Sequence, residues 1–554
     1  MTNEHPNRFL HTLSLGRLMR LGQNAAKNGV KKATKHSLLR PFMLGALALG
    51  LVSCSFVPTL KDDGFLVPGQ FKESKARTDG TQAPQALSAL NPLKNQAASV
   101  DPMVEKNGKR AFDDKRGALM PSDWWRMLGD PLLNQLEDKL LANNVSVLSL
   151  SAQVRVAQAS LKQAEASLFP TLNVNMSASR AANQLSVPKG TSYSLSAPMS
   201  WELDVWGRID ALTQLASSNA QASEFDLSQA KVSVQALLVQ SYVSFLTASG
   251  QEALLQRTVA VYEKSLALTL ARYKAGVVSS ADVAQARTQL KSTQAQWQDV
   301  ILQRKQIEHA LATLTGVVPA QLKLDLEAHA WPKAALAPSS NRWDSSALKA
   351  LPQVPALPEV LVLEVLQFRP DIQAAKRRVE AANAQLGVAR SAFFPPLVLS
   401  ASAGYRNTDL ASLVSAPNQA WSIGPSLVLP LFDGGLRQAA KESAQAQLDN
   451  ALLNYRQVVL NAFQEIEDNL VAREQLSLME GSWADAAQSA SRNLEVVYAQ
   501  YQAGVVPYSS VVSAQSALLG AQRILLDMRS RQLLAWNQLQ KNTFVESPTV
   551  QVKF

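Results

Sequence analysis

One hexapeptide of this chain occurs twice. Tyr273-Lys274-Ala275-Gly276-Val277-Val278 returns as Tyr501-Gln502-Ala503-Gly504-Val505-Val506, 228 residues later. Upstream, Phe169-Pro170 returns as Phe394-Pro395 at an offset of 225, with Leu161 and Ala164 falling on Leu386 and Ala389. A duplicated plan of this length restricts the fold more than any single motif, because each half must build the same supersecondary unit and bury its apolar face against the other.

Each half reads as helix, two strands, a very long helix, a turn and another helix. Residues 133–168 and 371–393 are rich in Ala, Gln, Leu and Arg without an internal proline, which predicts helix. Pro170 and Pro395-Pro396 end those helices, since proline has no amide to donate and its predecessor avoids the α region. The period then changes to two. Leu172, Val174, Met176 and Ala178 alternate with Asn173, Asn175 and Ser177, and the apolar positions from Tyr193 to Leu203 alternate with Ser194, Ser196, Ser200 and Glu202. The second half repeats this with Leu397 to Tyr405 against Ser400, Ser402 and Arg406, and with Trp421 to Leu431 against Ser422, Gly424 and Ser426. Each strand thus has one apolar face and one small, polar face.

Gly207-Arg208 and Gly434-Gly435 open proline-free helical stretches that run to Arg272 and Tyr501. At 1.5 Å per residue each predicts a rod of about 100 Å. Leu448, Leu452, Tyr455, Val459, Ala462 and Ile466 are spaced as a coiled-coil seam. Val232, Val234, Leu237, Leu238, Val239, Tyr242, Val243 and Phe245 cover more than one helical face, as in a helix with neighbours on both sides.

Composition excludes most chemistry. The net charge is +10, but residues 1–53 hold eight Lys/Arg against one acid, so the remainder carries 46 basic against 43 acidic residues and is nearly neutral. A nucleic-acid partner is therefore not expected. Beyond residue 53 the histidines are His309 and His329, both read as structural or surface residues, and no phosphate-cradling glycine motif occurs. No catalytic, cofactor or metal site is expected, and the chain reads as a non-enzyme.

Cys54 is the single cysteine. It follows a basic region with Lys27, Lys31, Lys32, Lys35 and Arg40 and a short apolar run, Pro41 to Val52, which has the order of a secretory signal and is too short to span a bilayer comfortably. Leu51-Val52-Ser53-Cys54 matches the bacterial lipobox, so Cys54 is expected to carry a diacylglycerol, and Ser55, not being Asp, permits sorting to the outer membrane by similarity to other lipoproteins.

The expected organisation is a lipoprotein signal peptide at 1–53, an extended linker at 54–120, a first repeat at 121–316 with a strand hairpin at 170–204 and a tip turn at 273–280, and a Pro-rich connection at 317–358. A second repeat then fills 359–541, with a hairpin at 396–431 and a tip turn at 501–509, and a tail occupies 542–554. Four strands cannot close a membrane barrel, which needs at least about eight, so several chains must contribute. The competing reading is a lipid-anchored structural or adhesive coiled coil without a pore.

Further marks are Trp124-Trp125, Gly129-Asp130-Pro131-Leu132, Asn143-Asn144-Val145, Trp201-Glu202-Leu203-Asp204-Val205-Trp206-Gly207-Arg208, Arg369-Pro370-Asp371-Ile372 and Leu431-Phe432-Asp433-Gly434-Gly435. In this order, with the repeated hexapeptide and the lipobox, residues 121–541 resemble the outer membrane factors of tripartite efflux and secretion systems, the TolC-type proteins, and within them the lipoprotein branch serving resistance-nodulation-division pumps. The resemblance implies a mainly α fold in which a homotrimer pools its strands into one 12-stranded β-barrel joined to a long periplasmic α-helical barrel. It also implies a passive export duct from periplasm to exterior, anchored in outer membrane lipid and partnered by a periplasmic adaptor and an inner membrane efflux pump.

Under that resemblance the two turns form the periplasmic tip, with Arg272, Tyr273, Gly276, Tyr501 and Gly504 as adaptor-contacting residues. Gly276 and Gly504 also suit helix stops with positive φ, and Arg272 suits the last carbonyls of its helix. Asp282 lies three residues after Ser279, a capping-box spacing; the alternative is a ring of carboxylates at the aperture, to which the second turn would contribute only Ser510 and Ser513.

Overall fold

The structure is a computed structural model that describes residues 57, 58, 123–180, 191–324, 351–356, 366 and 368–543. Cys54, the signal, most of the linker and His329 lie outside the described residues. A 3-10 turn spans Trp124–Leu128; Trp124 is buried, and its indole donates to Asn537 Oδ1 at 3.1 Å. Then follow α1 (Pro131–Asn143) and α2 (Val145–Ala166), β1 (Thr171–Leu172), β2 (Asn175–Arg180) and β3 (Thr191–Leu203), and the 67-residue α3 (Arg208–Lys274) with the 35-residue α4 (Ser280–Leu314). The second half contributes α5 (Pro370–Ser391), β4 (Leu397–Asn407), β5 (Gln419–Leu427), the 67-residue α6 (Leu436–Gln502) and the 35-residue α7 (Tyr508–Asn542).

Two expectations need correction. The first helix is not continuous from 133 to 168: Asn144 takes extended backbone, and its side chain accepts from the Ser146 and Val147 amides, ending α1 and capping α2. The last strand stops at Leu427 rather than Leu431. Pro430 cannot donate to a ladder, and Asp433 instead gathers the next helix start by accepting from the Gly435 amide and from Arg437 Nε.

β1 and β2 both pair antiparallel with β3, which pairs with β4, which pairs with β5. Ladder hydrogen bonds between β3 and β4 therefore join the two halves. At the sheet base, Asp204 accepts from the Ile209 and Asp210 amides, Gly207 turns with φ 68°, and Arg208 grips Glu202 through two 2.7 Å bonds. Trp206 stacks on Phe394 of the other half at 5.1 Å and donates to the Pro395 carbonyl. These contacts explain why WELDVWGR and the Phe-Pro pair occur as units.

Near the sheet the helices neighbour one another in the order α2, α3, α5, α6; α3 also packs against α4 and α7, and α6 against α7. The α6 seam buries Leu448, Tyr455, Val459, Ala462 and Ile466 as its heptad spacing predicts, while Leu452 is only partly buried. Each fully buried large apolar side chain contributes about 1.5–3 kcal/mol. Of the apolar α3 positions named from the sequence, Val232, Leu238, Val239, Tyr242, Val243 and Phe245 are buried, Val234 is half-buried and Leu237 is exposed. It is also the described helix whose apolar window could cross a membrane by composition, but 67% of that window is buried in protein, as in a core helix.

Glu137 of α1 is fully buried, and neither carboxylate oxygen has a hydrogen-bond partner among the described residues. Burial first, and Asp138 second, push its carboxyl well above the usual range. A native site that holds its proton more tightly than the unfolded chain is most stabilising in acid, and stability falls as pH rises past the ordinary carboxylate value toward the raised native one. Glu137→Met should therefore flatten the thermal stability curve above the ordinary carboxylate range, with the variant gaining on the parent as pH rises, by about 1–3 kcal/mol once the parent's carboxyl is forced to ionise. Equal pH dependence in variant and parent would contradict this.

Candidate functional site

The tip is built from two helix stops of the same design. Ala275 and Ala503 end α3 and α6, Gly276 (φ 73°) and Gly504 (φ 78°) reverse the chain, and the Val277 and Val505 amides reach back to the Arg272 and Gln500 carbonyls, each at 2.9 Å. This six-to-one bond is the Schellman closure, and it requires a residue that tolerates positive φ. A Cβ at either glycine would meet nothing within 4 Å. The requirement at both sites is backbone conformation, and the space beside them is open.

The entries to the return helices differ. Ser279 and Asp282 form a complete capping box, with the Asp282 amide donating to Ser279 Oγ at 3.2 Å and the Ser279 amide donating to Asp282 Oδ2 at 3.0 Å. Asp282 is thus committed to its own helix start. In the second half Pro507 stands at the cap without a side-chain bond, the Ser510 amide donates to the Pro507 carbonyl, and Ser513 Oγ donates to the Ser509 carbonyl.

Arg272 is where the halves meet. Its guanidinium donates to the carbonyls of Tyr501 (2.9 Å) and Gln502 (3.0 Å) and lies 4.7 Å from the centre of the Tyr501 ring. The expected cap of its own helix is therefore a cap of the neighbouring one: the planar fork satisfies the last carbonyls of α6 across the bundle. The paired tyrosines also diverge. Tyr273 is 47% exposed, whereas Tyr501 is 3% exposed, 5.5 Å from Tyr508.

Tyr508 was not apparent in the sequence as a site residue. It is 1% exposed, its hydroxyl donates to Ser265 Oγ on α3, and burial pushes its phenol up against the lowering effect of that hydrogen bond. The signal was present in the repeat alignment, where the aromatic Tyr508 replaces Ser280 directly after the turn. Tyr501, Tyr508, Val511, Ala514, Leu494 and Ala286 form one small core beneath the turns. An open cleft of about 550 Å³ separates the turns, lined by Arg272, Gly276, Asp282, Tyr501, Gly504 and Tyr508 among others. It brings together every expected tip residue except Tyr273, Ser510 and Ser513.

At the other end, the strand register sorts the side chains onto two faces. Leu172, Met199, Ala401 and Ile423 form one cross-strand row, and Leu203, Leu397 and Leu427 another. The opposite face carries the row Ser200, Ser400, Gly424 and the row Ser177, Ser194, Arg406, with Ser177 and Ser194 hydroxyls 2.8 Å apart. On the apolar face Leu172, Val174, Met176, Trp421, Ile423 and Leu427 are each more than half exposed in the single chain.

Residues 136–317 and 361–543 match the outer membrane efflux protein family, one segment in each half. The chain belongs to that family. It is 32% identical over 424 residues to the solvent efflux pump outer membrane protein SrpC of Pseudomonas putida, covering 74% of this chain and 85% of that protein. It is 27% identical over 495 residues to the cation efflux system protein CusC of Escherichia coli strain K12, covering 88% and 95%. The solved structure of the outer-membrane channel OprN superposes with a TM-score of 0.70 at 27% identity, covering 77% of this chain and 92% of that one.

Removing the Arg272 fork should leave the Gln502 carbonyl without this partner and the Tyr501 carbonyl with only the Gly504 amide. Arg272→Ala is expected to cost about 1–2 kcal/mol, discounted for its partial exposure, and to speed amide exchange over 499–506. Arg272→Lys should recover only part, because a point charge cannot span both carbonyls. Unchanged exchange in Arg272→Ala would show that the fork does not hold the α6 end.

Proposed function

We propose that this chain is the outer membrane channel of a tripartite efflux or export system, a passive duct that three copies build together. The observation that carries this reading is the sheet: four strand positions with an exposed apolar face, a Ser/Asn-rich opposite face, and the outer edges of β2 and β5 unpaired among the described residues. An open edge facing hydrocarbon leaves backbone amides and carbonyls unsatisfied at several kcal/mol each, so a membrane-inserted sheet of this kind must close with others. Three copies give twelve strands, apolar side out and polar side in. The poreless coiled-coil alternative leaves both the exposed apolar face and the polar rows without a purpose.

The rest of the duct follows from the helices. Exposed apolar residues on the outer columns, Val145, Leu148 and Val156 on α2 and Leu453, Leu460, Val471 and Leu478 on α6, suit helix-to-helix packing between copies. With α3 and α6 each about 100 Å long, the closed helical barrel reaches far into the periplasm. The segments 1–53, 54–120, 121–316, 317–358, 359–541 and 542–554 serve as signal, linker, repeat, connection, repeat and tail. Cys54 carries lipid at the mature N-terminus, and the cleft at the Gly276 and Gly504 turns receives a periplasmic adaptor that couples the duct to an inner membrane pump of the resistance-nodulation-division type. Tyr273, exposed on that surface, is available to it. In this reading Asp282 is a helix cap, and Ser510 and Ser513 give the aperture no carboxylate ring. The relatives' names span solvents and a cation, so the cargo is left to the pump.

Two outcomes test this. Native mass analysis in mild detergent should give three copies per particle, and a single-chain mass with full secondary structure retained would contradict the shared barrel. Replacing Gly276 and Gly504 together by Trp should abolish export while the trimer still reaches the outer membrane; normal export by this variant would show that the turns are not the docking surface.

A further inference from the structure

The chain returns to its own N-terminus on α5. Asn383 is 1% exposed, and its side-chain amide donates to the Pro58 carbonyl at 2.8 Å, while its Oδ1 has no partner among the described residues. One helical turn further on, Gly387 is buried inside the helix. A Cβ placed there would lie 3.0 Å from Val57 Cγ2, 3.3 Å from Val57 Cα and 3.5 Å from Ala211 Cβ of α3. Gly387 has ordinary helical backbone, so conformation does not call for glycine here. What calls for it is Val57, which fills the notch at the contact between α3 and α5, a helix pair that joins the two halves.

Position gives this contact its meaning. Gly387 is four residues, about 6 Å, from the end of α5, and Ala211 is three residues into α3. The notch therefore sits about one turn below the sheet, near the exposed collar of Phe169, Leu431 and Phe432. Cys54 is three residues before Val57, and a fully extended chain of that length spans at most about 11 Å.

We propose that Asn383 and Gly387 form a receptor for the Val57-Pro58 segment of the same chain, and that this dock fixes Cys54, with its acyl chains, at the base of the sheet. The anchor is then held in register with the barrel wall. The docked segment is also a third element of the α3/α5 seam, so its loss loosens the joint between the repeats. The acyl part rests on the proposed lipidation of Cys54; the dock itself does not.

The test is an engineered cysteine pair, Val57→Cys with Gly387→Cys, in the full chain in native outer membranes. A Gly387 Cβ would lie 3.3 Å from the Val57 Cα, so with the valine Cγ2 removed a shift of a few tenths of an ångström brings the two cysteines into disulfide range, and a control pairs Val57→Cys with Gly481→Cys, which has open space around it. A disulfide in the first pair and none in the control is the expected result, and equal yields would overturn the dock. A photo-reactive side chain at 57, which leaves α5 unaltered, should cross-link to α5 or α3; cross-links confined to other elements would likewise overturn it. Val57→Asp, which leaves the receptor intact, should lower stable trimer in the membrane about threefold or more, as expected when a local contact that holds a seam is opened. Unchanged trimer yield would remove the seam role. Mass analysis of Cys54 in the same samples separates the two claims: a disulfide with unmodified Cys54 keeps the dock and removes the anchor, whereas an acylated Cys54 without the disulfide removes the dock and keeps the anchor.

Discussion

An antiparallel sheet is satisfied only where a neighbour faces it, and here the outer edges of the two outermost strands have none among the described residues. In water such edges bond to solvent; in hydrocarbon they cannot. The rest of the molecule is arranged around that constraint. The register across β3 and β4 keeps the apolar rows on one face, so the sheet cannot slip by one residue without moving serine rows onto that face. The β3–β4 pairing also ties the two repeats together, so one duplicated unit supplies two hairpins in fixed order within a single sheet.

Below the sheet the same logic is carried by side chains. Asp204 and Asp433 gather helix amides at the two strand-to-helix junctions, and Trp206 on Phe394 crosses between the halves. The junctions hold the long helices directly under the strands, and α3 and α6 then transmit that placement to the tip. There the repeats stop being equivalent. One half offers a capping box and an exposed tyrosine, the other two buried tyrosines and a proline cap, and Arg272 bridges them by capping a helix that is not its own. A symmetric sequence motif thus yields an asymmetric end, with the cation supplied by one repeat and the aromatic ring by the other.

Much of this was legible in the residues. Period-two alternation located all four strand positions, and the long proline-free stretches located α3 and α6 to within two residues at their ends, because these elements are set by local pattern. The helix break at Asn144 was not read, since Asn-Asn within an Ala/Leu/Gln stretch is a weak signal until the side chain is seen capping the next turn. The strand end at Leu427 was overrun because Leu429 and Leu431 continue the alternation while Pro430 interrupts the ladder. At the tip, the glycine stops and the Ser279–Asp282 cap are local and were readable. The Arg272 bridge and the Tyr508 contact depend on the register between helices more than 200 residues apart, which periodicity does not encode. The Asn383–Gly387 notch was hidden for the same reason.

The central claim is that the polar strand faces enclose water. Single-channel conductance of the purified protein in a planar bilayer tests it most directly. The account predicts discrete, long-lived conducting steps, small at rest because the helical tip is packed, and larger when the Arg272 bridge is removed. Insertion into the bilayer without any conductance, in the parent protein and in the Arg272→Ala variant alike, would contradict it.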